Sequence, residues 1–208
     1  MNKAFHRLIT LQALESYFSR SALEVIIAAN LSLDALSGQI GHNEYHFDAN
    51  AFEPARAFIE ENRKQIRPAL EEGNLQRAWQ AFGRLTHTAQ DFYAHSNYVS
   101  LWLERFPSNQ WPPPEAIDAL DPSLLDSPAL RSGKLYYPLE ALSFIPKLKK
   151  WILPLLPRDS HAWMNLDSPE QGPQFAYALA AAIQRTRYEY HLSTANLPPE
   201  LCQRFHGS

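Results

Sequence analysis

Three side chains that bind metals in proteins are spaced four residues apart in one stretch of this chain. His87, Asp91 and His95 stand at positions i, i+4 and i+8. On an α-helix this spacing places them along one stripe, because each step of four residues drifts by only about 40°. The surrounding run, 75–106, has no proline, Gly83 as its only glycine, and apolar residues on all sides, which predicts a buried helix.

The predicted burial of these polar groups is the reason to expect a metal. Buried imidazoles and carboxylates are costly unless something pairs with them, and a divalent metal does so. The alternative is a core helix whose polar side chains are already satisfied. Segments 41–48 and 160–167 also concentrate histidine with acidic or amide residues. Their candidate ligands are His42, Glu44, His46, Asp48, His161, Asn165 and Asp167. Imidazole and carboxylate without cysteine favour zinc or a similar ion in a catalytic setting, because structural zinc sites usually recruit thiolates.

Composition limits the class of protein. With 208 residues, the chain is long enough for one domain, 1–208, with a sizeable core, and its 45% hydrophobic and 20% charged residues are ordinary for a globular protein. The net charge of −3 provides no basic surface for nucleic acid, which argues against binding to a duplex. The single cysteine, Cys202, cannot form an internal disulfide.

The first residues and the length of the apolar runs indicate where the protein is expected to be found. The first residues lack the apolar core of a signal peptide, and no run approaches the roughly 20 apolar residues of a membrane span. We therefore expect a protein that is cytoplasmic on synthesis, and that is retained there, exported by a route other than the general secretory one, or trimmed of a leader.

The positions of helix formers, caps and prolines predict an all-α fold with one multi-helical domain and a buried metal-cluster cleft. Residues 8–38 should be helical, in one or two pieces, with a capping box at Ser21 and Glu24. We predict an amphipathic helix over 52–72, a long helix after Asn74 as its N-cap, and a last helix over 175–195. Ten of the sixteen prolines fall within 107–157, so 107–160 is predicted to be an irregular segment with short helical turns.

One part of that irregular segment has the composition of an interfacial membrane segment. Residues 144–156 combine aromatic and aliphatic side chains with interleaved lysines and Trp151, which is typical of peripheral contact with a membrane. The same composition also describes an ordinary short helix packed on the body of the protein.

Four motifs taken together resemble a known family. They are GRLTHTAQDFYAHSNY at 83–98, ANLSLD at 29–34, GHNEYHFD at 41–48 and MNLDSP at 164–169. In this order they resemble the zinc-dependent phospholipase C and single-strand nuclease superfamily, and most closely its heterokaryon-incompatibility protein C (Het-C) type domain. The motif around His87 is the specific one.

The resemblance implies an all-helical domain with two or three zinc ions at the bottom of a cleft. It implies a first site formed by Asp34, His46, His87 and Asp91, a second formed by His95 and His161 with Asp167 or Asn165, and a third formed by His6 with Asp91. An amide oxygen is a poorer zinc ligand than a carboxylate, which favours Asp167 and leaves Asn165 to orient the site. In the family a tryptophan backbone at the first residue completes the third site, and Met1 stands there in this chain. The role of His42 is not fixed by the resemblance: it could be an extra ligand, a hydrogen-bond donor to substrate or an orienting group. Glu44 and Asp48 could orient His42 and His46.

The resemblance also implies a reaction. Two zinc ions would share a water and lower its pKa from about 16 towards neutrality. The catalytic Asp34 would orient this water or accept its proton, and the resulting hydroxide would attack phosphorus. The expected function is therefore phospholipase C-type cleavage of a phospholipid head group. The alternatives are a single-strand nuclease or nucleotidase, hydrolysis of another phosphodiester, and a metal-stapled binding module without catalysis.

Overall fold

The computed structural model describes residues 1–35, 38, 41–136, 138–143 and 146–207. Within these residues the secondary structure is helical, and the only strand-like features are two isolated bridges, Ser96 with Ser132 and Lys134 with Ser160. The all-α prediction is therefore confirmed. The α-helices are α1 (Lys3–Leu14), α2 (Arg20–Ser32), α3 (Asn43–His46), α4 (Phe52–Glu71), α5 (Leu75–His95), α6 (Tyr98–Leu103), α7 (Pro122–Leu125), α8 (Leu139–Ser143), α9 (Pro146–Ile152), α10 (His161–Met164), α11 (Phe175–Thr194) and α12 (Pro199–His206). Short 3-10 turns occupy Asp48–Asn50, Pro114–Ala116, Leu153–Leu155 and Pro169–Gln171.

Helix α5 is the central helix of the fold. The side chain of Asn74 caps it by accepting a hydrogen bond from the Arg77 amide at 3.1 Å, as predicted. Helices α2, α4 and α11 pack around it, and every residue over 85–95 is buried. This packing follows from the apolar residues on all sides of the helix, because each side must be removed from water.

Two glycines allow close approach between elements. A Cβ atom on Gly83 would collide with the carbonyl oxygen of Ile26 in α2, and one on Gly133 would lie 2.6 Å from the Cα of His161. Real Cβ atoms do not reach such distances, so both positions require the missing side chain. Gly83 brings α2 against α5, and Gly133 brings the chain that precedes α8 against His161.

Three predicted helix limits were wrong. Helix α1 begins at Lys3 rather than at residue 8, because Asn2 accepts hydrogen bonds from the amides of Ala4 and Phe5 and caps it there. The predicted capping box at Ser21 does not form. Instead the Ser19 hydroxyl accepts from the Ala22 amide and places Ser21 inside α2. The run 75–106 is two helices, because Ser96 is extended (φ −108°, ψ 166°) and ends α5.

The segment 107–160 covers the C-terminal end of α5 with short helices and turns, as predicted. The Gly133 amide donates to the His95 carbonyl at 3.0 Å, and beyond the segment the Leu166 amide donates to the Ala94 carbonyl at 2.7 Å. These bonds satisfy carbonyl groups that the helix end leaves without intrahelical partners, and they bring α10 and Asp167 next to the stripe of His87, Asp91 and His95. No helix of the described residues is both long and apolar enough to cross a membrane.

Candidate metal centre

His95, the last residue of the predicted stripe, lines a cleft of about 450 Å³ at the C-terminal end of α5. Each wall of the cleft comes from a different part of the chain: the start of α1, the turn after α2, helix α3 with the following 3-10 turn, and helix α10 with the residues after it. Its lining residues are Met1, Asn2, Lys3, Asp34, His46, Asp48, His95, Leu135, His161 and Asp167. His6, His87 and Asp91 lie directly behind this lining and are fully buried.

One group of metal-binding atoms surrounds the carboxylate of Asp91. Its Oδ2 atom lies 2.8 Å from Nδ1 of His46 and 3.2 Å from Nε2 of His87. These two nitrogens are 3.1 Å apart, and Oδ1 of Asp34 is 3.8 Å from the His87 nitrogen. Ligand atoms at about 2.0–2.1 Å from a tetrahedral zinc are separated from one another by about 3.3 Å. The side chains of His46, His87 and Asp91 therefore have the spacing that a zinc ion requires, while Asp34 lies within reach of a common ion with His6 and His87.

A second group lies around His95. Its Nδ1 donates to the backbone carbonyl of His46 at 2.9 Å, so a neutral ring leaves the lone pair on Nε2 directed into the cleft. That Nε2 atom is 3.1 Å from Oδ1 of Asp167 and 3.4 Å from Nε2 of His161. The carboxylate of Asp48 lies on the other side of the ring, 3.3 Å from Nδ1. Asp48 thus contacts His95, whereas the sequence suggested His42 or His46 as its partner.

The backbone that carries Asp48 is strained. Phe47 and Ala49, on either side of it, have φ values of 57° and 54°, a left-handed region that costs roughly 1–2 kcal/mol for such residues. Packing holds this conformation, since the ring of Phe47 packs against Phe92 at 5.1 Å between centroids and the Ala49 amide donates to the Gly133 carbonyl at 2.7 Å. Strain of this kind is concentrated at functional sites in proteins.

His6 forms a third group with Asp91. Its ring stacks on His87 with 4.2 Å between centroids, and its Nε2 atom lies 3.1 Å from Oδ1 of Asp91. The amino group of Met1 also contacts Oδ1 of Asp91 and lies 3.1 Å from Oδ1 of Asp167. The Met1 amine therefore lies between the second group and the third.

Gln90 determines which nitrogen of His6 carries a proton. The Gln90 amide NH₂ donates to the hydroxyls of Thr10 and Thr186 at 3.2 and 3.1 Å, and each hydroxyl itself donates to a helix carbonyl. The amide oxygen of Gln90 is therefore directed at Nδ1 of His6, 2.7 Å away. Since that oxygen can only accept, Nδ1 is the donor, and a neutral His6 directs the lone pair of Nε2 at Asp91.

Burial and mutual charge shift the pKa values of these groups. Burial, together with the charge of His6, lowers the pKa of His87 to about 4, and burial together with the Met1 amino group lowers that of His6. Burial alone would raise the pKa of Asp91, but the Met1 amino group and His95 hold it well below its usual value. His6 and His87 are thus neutral near pH 7, as metal ligands must be. Despite its burial, the carboxylates of Asp91, Asp48 and Asp167 raise the pKa of His95, so this ring would release a proton on binding a metal.

Two candidates from the sequence lie outside the cleft. Asn165 donates from Nδ2 to the His161 carbonyl at 2.9 Å and accepts from Gln171 at 2.7 Å, so both ends of its amide are engaged in local structure. His42 stacks on Tyr45 with 4.4 Å between centroids and bonds to Glu44 at 2.9 Å. Of the alternatives for the second group, this geometry favours Asp167 over Asn165.

Reasoning from the sequence missed the contact of Asp48 with His95 and the role of Gln90. The role of Gln90 could have been predicted, because it is an uncharged polar residue next to Asp91 in a helix expected to be buried. Such a residue must find buried partners. The contact of Asp48 with His95 depends on the left-handed backbone at Phe47 and Ala49. Glycine is the residue that usually indicates such a conformation in a sequence, and neither position is glycine.

The fold and the cluster define an all-α protein with buried imidazole and carboxylate groups at one end of its central helix. Comparison with known proteins then provides the family. The family model of the VWA7 N-terminal domain matches residues 3–120, more than half of the chain, and the chain belongs to this family. The matched region contains the sequence candidates from His6 to His95, whereas His161 and Asp167 lie beyond it.

A curated relative supports the same family. Von Willebrand factor A domain-containing protein 7 of Rattus norvegicus is 34% identical over 94 residues, which are 45% of this chain and 10% of the relative. The chain thus spans only a small part of that relative's length. No solved structure matches the chain.

The predicted family and activity were wrong. The match to the VWA7 N-terminal domain contradicts the resemblance to zinc-dependent phospholipase C, single-strand nuclease and Het-C type domains. It also removes the support for cleavage of phospholipids or nucleic acids. The physical reason is that the spacing i, i+4 and i+8 follows from helix geometry. Any buried helix that directs side chains at a metal can therefore have it, whatever its family. Such a pattern specifies the geometry of a site and leaves the family and the substrate undetermined.

Replacing Gln90 tests whether it orients His6. The Gln90→Leu variant removes the acceptor for Nδ1 of His6 and should weaken binding of zinc by 10–100-fold at one site, the range for partners that orient metal ligands. Gln90→Glu keeps an acceptor and should retain more of the affinity, while Gln76→Leu, exposed on the same helix, should change nothing. Affinities are measured by competition with a chromophoric chelator. Equal affinities for the Leu and Glu variants would contradict the role of Gln90.

Proposed function

We propose that this domain binds two or three zinc ions in the cleft at the end of α5. The observation that carries the proposal is the convergence of imidazole nitrogens and carboxylate oxygens in the cleft. The atoms of His46, His87 and Asp91 lie 2.8–3.2 Å from one another, and Nε2 of His95 lies 3.1 Å from Asp167 and 3.4 Å from His161. Helices and turns from separate parts of the chain deliver these side chains to one place. Such separations are those of ligand atoms around one tetrahedral ion.

The pairing of His6 with Asp91 supports a cation more specifically. With its proton on Nδ1, the neutral ring directs a lone pair at a carboxylate oxygen 3.1 Å away, and two lone pairs at that distance repel each other. The Met1 ammonium group contacts the same oxygen and supplies positive charge there, and a cation placed between the two atoms would remove the repulsion more completely. A metal ion is such a cation, and the donor set, with nitrogen and oxygen but no sulfur, suits zinc.

The ions would be held by neighbouring sets of side chains, two of which share Asp91. Asp34, His46, His87 and Asp91 would hold the first, and His95, His161 and Asp167 the second, with Asp48 orienting the ring of His95. His6 and the remaining oxygen of Asp91 would contribute to a third. When bound, zinc would supply positive charge to a site with four carboxylates and would act as a Lewis acid towards a water molecule in the cleft.

Metal content tests this proposal directly. Purified protein dialysed against trace zinc should carry two or three ions per chain by elemental analysis. Zinc at about 100 times its Kd should raise the free energy of unfolding by about 2.7 kcal/mol per site. His87→Ala removes a nitrogen from the first group and should lose at least one ion. His42→Ala, a histidine outside the cleft, should lose none. A zinc-free protein that unfolds at the same temperature with and without zinc would contradict the proposal.

Metal-assisted hydrolysis is a second candidate, for which no substrate class is assigned. It is favoured by the exposure of the carboxylates, since the side chains of Asp34 and Asp167 are 11% and 28% exposed while the imidazole of His87 is fully buried. The ligands at the mouth of the cleft therefore leave access for water, as catalytic zinc sites do. Asp34 would orient that water or accept its proton.

Hydrolysis of 4-nitrophenyl acetate provides a first test of this second candidate. The rate should fall on addition of a chelator, return with zinc, and drop at least tenfold per bound zinc in Asp34→Asn. Zinc content is measured for each variant, so that a lost ion is distinguished from lost proton transfer. A zinc-loaded protein no faster than free zinc at the same concentration would count against hydrolysis and leave the metal-binding proposal standing.

A further inference from the structure

Exposed apolar side chains are concentrated in the segment that precedes α10. Among the described residues, six large hydrophobic side chains are exposed, and four of them fall within 142–155. Trp151 and Leu155 are the most exposed, at 68% and 67%. The four are Leu142, Leu148, Trp151 and Leu155, which we call the apolar patch. Large exposed apolar side chains gathered in one short segment are typical of a surface that contacts something else.

The segment that carries the patch differs in net charge from the rest of the chain. Residues 141–158 contain four basic residues, Lys147, Lys149, Lys150 and Arg158, and no acidic residue. The whole chain carries −3, so the residues outside this segment carry −7 in total. The Lys150 ammonium lies 5.2 Å from the centroid of the Trp151 ring. The segment is thus a basic region on an acidic protein.

The patch is anchored to the body of the protein. Leu156 is buried, and Trp163 in α10 donates from its indole nitrogen to the Leu153 carbonyl at 3.0 Å. The guanidinium of Arg158 lies over the Trp163 ring, 3.9 Å from its centroid. These contacts hold the turn after α9 against the helix that supplies His161. Exposure of Trp151 and Leu155 is therefore a property of a folded, supported surface.

We propose that the apolar patch docks this domain onto an anionic lipid surface. Trp151, Leu148 and Leu155 supply apolar side chains that enter the boundary between head groups and acyl chains, while the basic residues attract anionic head groups. A protein surface with the same chemistry would have to supply acidic groups around an apolar pocket. The combination of exposed tryptophan, leucine and lysine in one short segment favours the lipid. Residues 144 and 145, which belong to the predicted interfacial segment 144–156, lie outside the described residues.

Co-sedimentation with vesicles tests the docking surface. The probes are vesicles of phosphatidylcholine alone and of phosphatidylcholine with phosphatidylglycerol, each in 50 mM and 500 mM salt. We expect binding to the vesicles with phosphatidylglycerol, reduced at high salt because the charge contribution is screened. The double variant Trp151→Glu, Leu155→Glu should lose at least tenfold in affinity. The matched control, Tyr188→Glu with Leu192→Glu, changes two exposed side chains of α11 and should bind as the unmodified protein does.

Several results would overturn this proposal. They are absence of binding to anionic vesicles, equal loss in both double variants, or a dimer that forms through Trp151 and Leu155 without any binding to vesicles. The test is independent of the metal centre, because the patch contains none of the proposed ligands. Circular dichroism confirms that each variant is folded, and all four substituted side chains are on the surface, where glutamate is tolerated.

Discussion

The buried carboxylate of Asp91 is the constraint on which the rest of this structure depends. A carboxylate with no access to water is costly unless positive charge or hydrogen-bond donors surround it, and α5 alone cannot supply them. His87 and His95 come from the same helix, but His6 and His46 must be delivered from α1 and α3. The fold must therefore bring side chains from several helices to the carboxylate of Asp91.

Close packing of the other elements on α5 brings these side chains to the cleft. Gly83 brings α2 close enough for Asp34 to reach His87, and Gly133 does the same for His161 beside His95. Behind the imidazoles, Gln90 joins Thr10 in α1 and Thr186 in α11 through one amide. The site therefore rests on helices that pack on each other through an apolar core, and small displacements of these helices would change the donor separations that zinc binding requires.

The sequence predicted the all-α class, the buried helix and the stripe of His87, Asp91 and His95, because the period of the helix determines all three. It did not predict the capping of α2 by Ser19 or the break at Ser96, which depend on backbone angles that several residues can adopt. The side-chain partners of Asp48 and Asn165 were missed for a similar reason, since contacts between distant segments are settled by the packing of the whole chain. The family was misassigned because metal-ligand spacing recurs in unrelated proteins.

Anomalous scattering from crystals grown with zinc tests the central claim most directly. Data collected above and below the zinc absorption edge should show one peak enclosed by Asp34, His46, His87 and Asp91, and a second enclosed by His95, His161 and Asp167. Both peaks should be absent from crystals treated with a chelator. Zinc-grown crystals with the same side-chain arrangement and no anomalous peak in the cleft would show that the protein groups satisfy one another, and the account of a metal centre would be wrong.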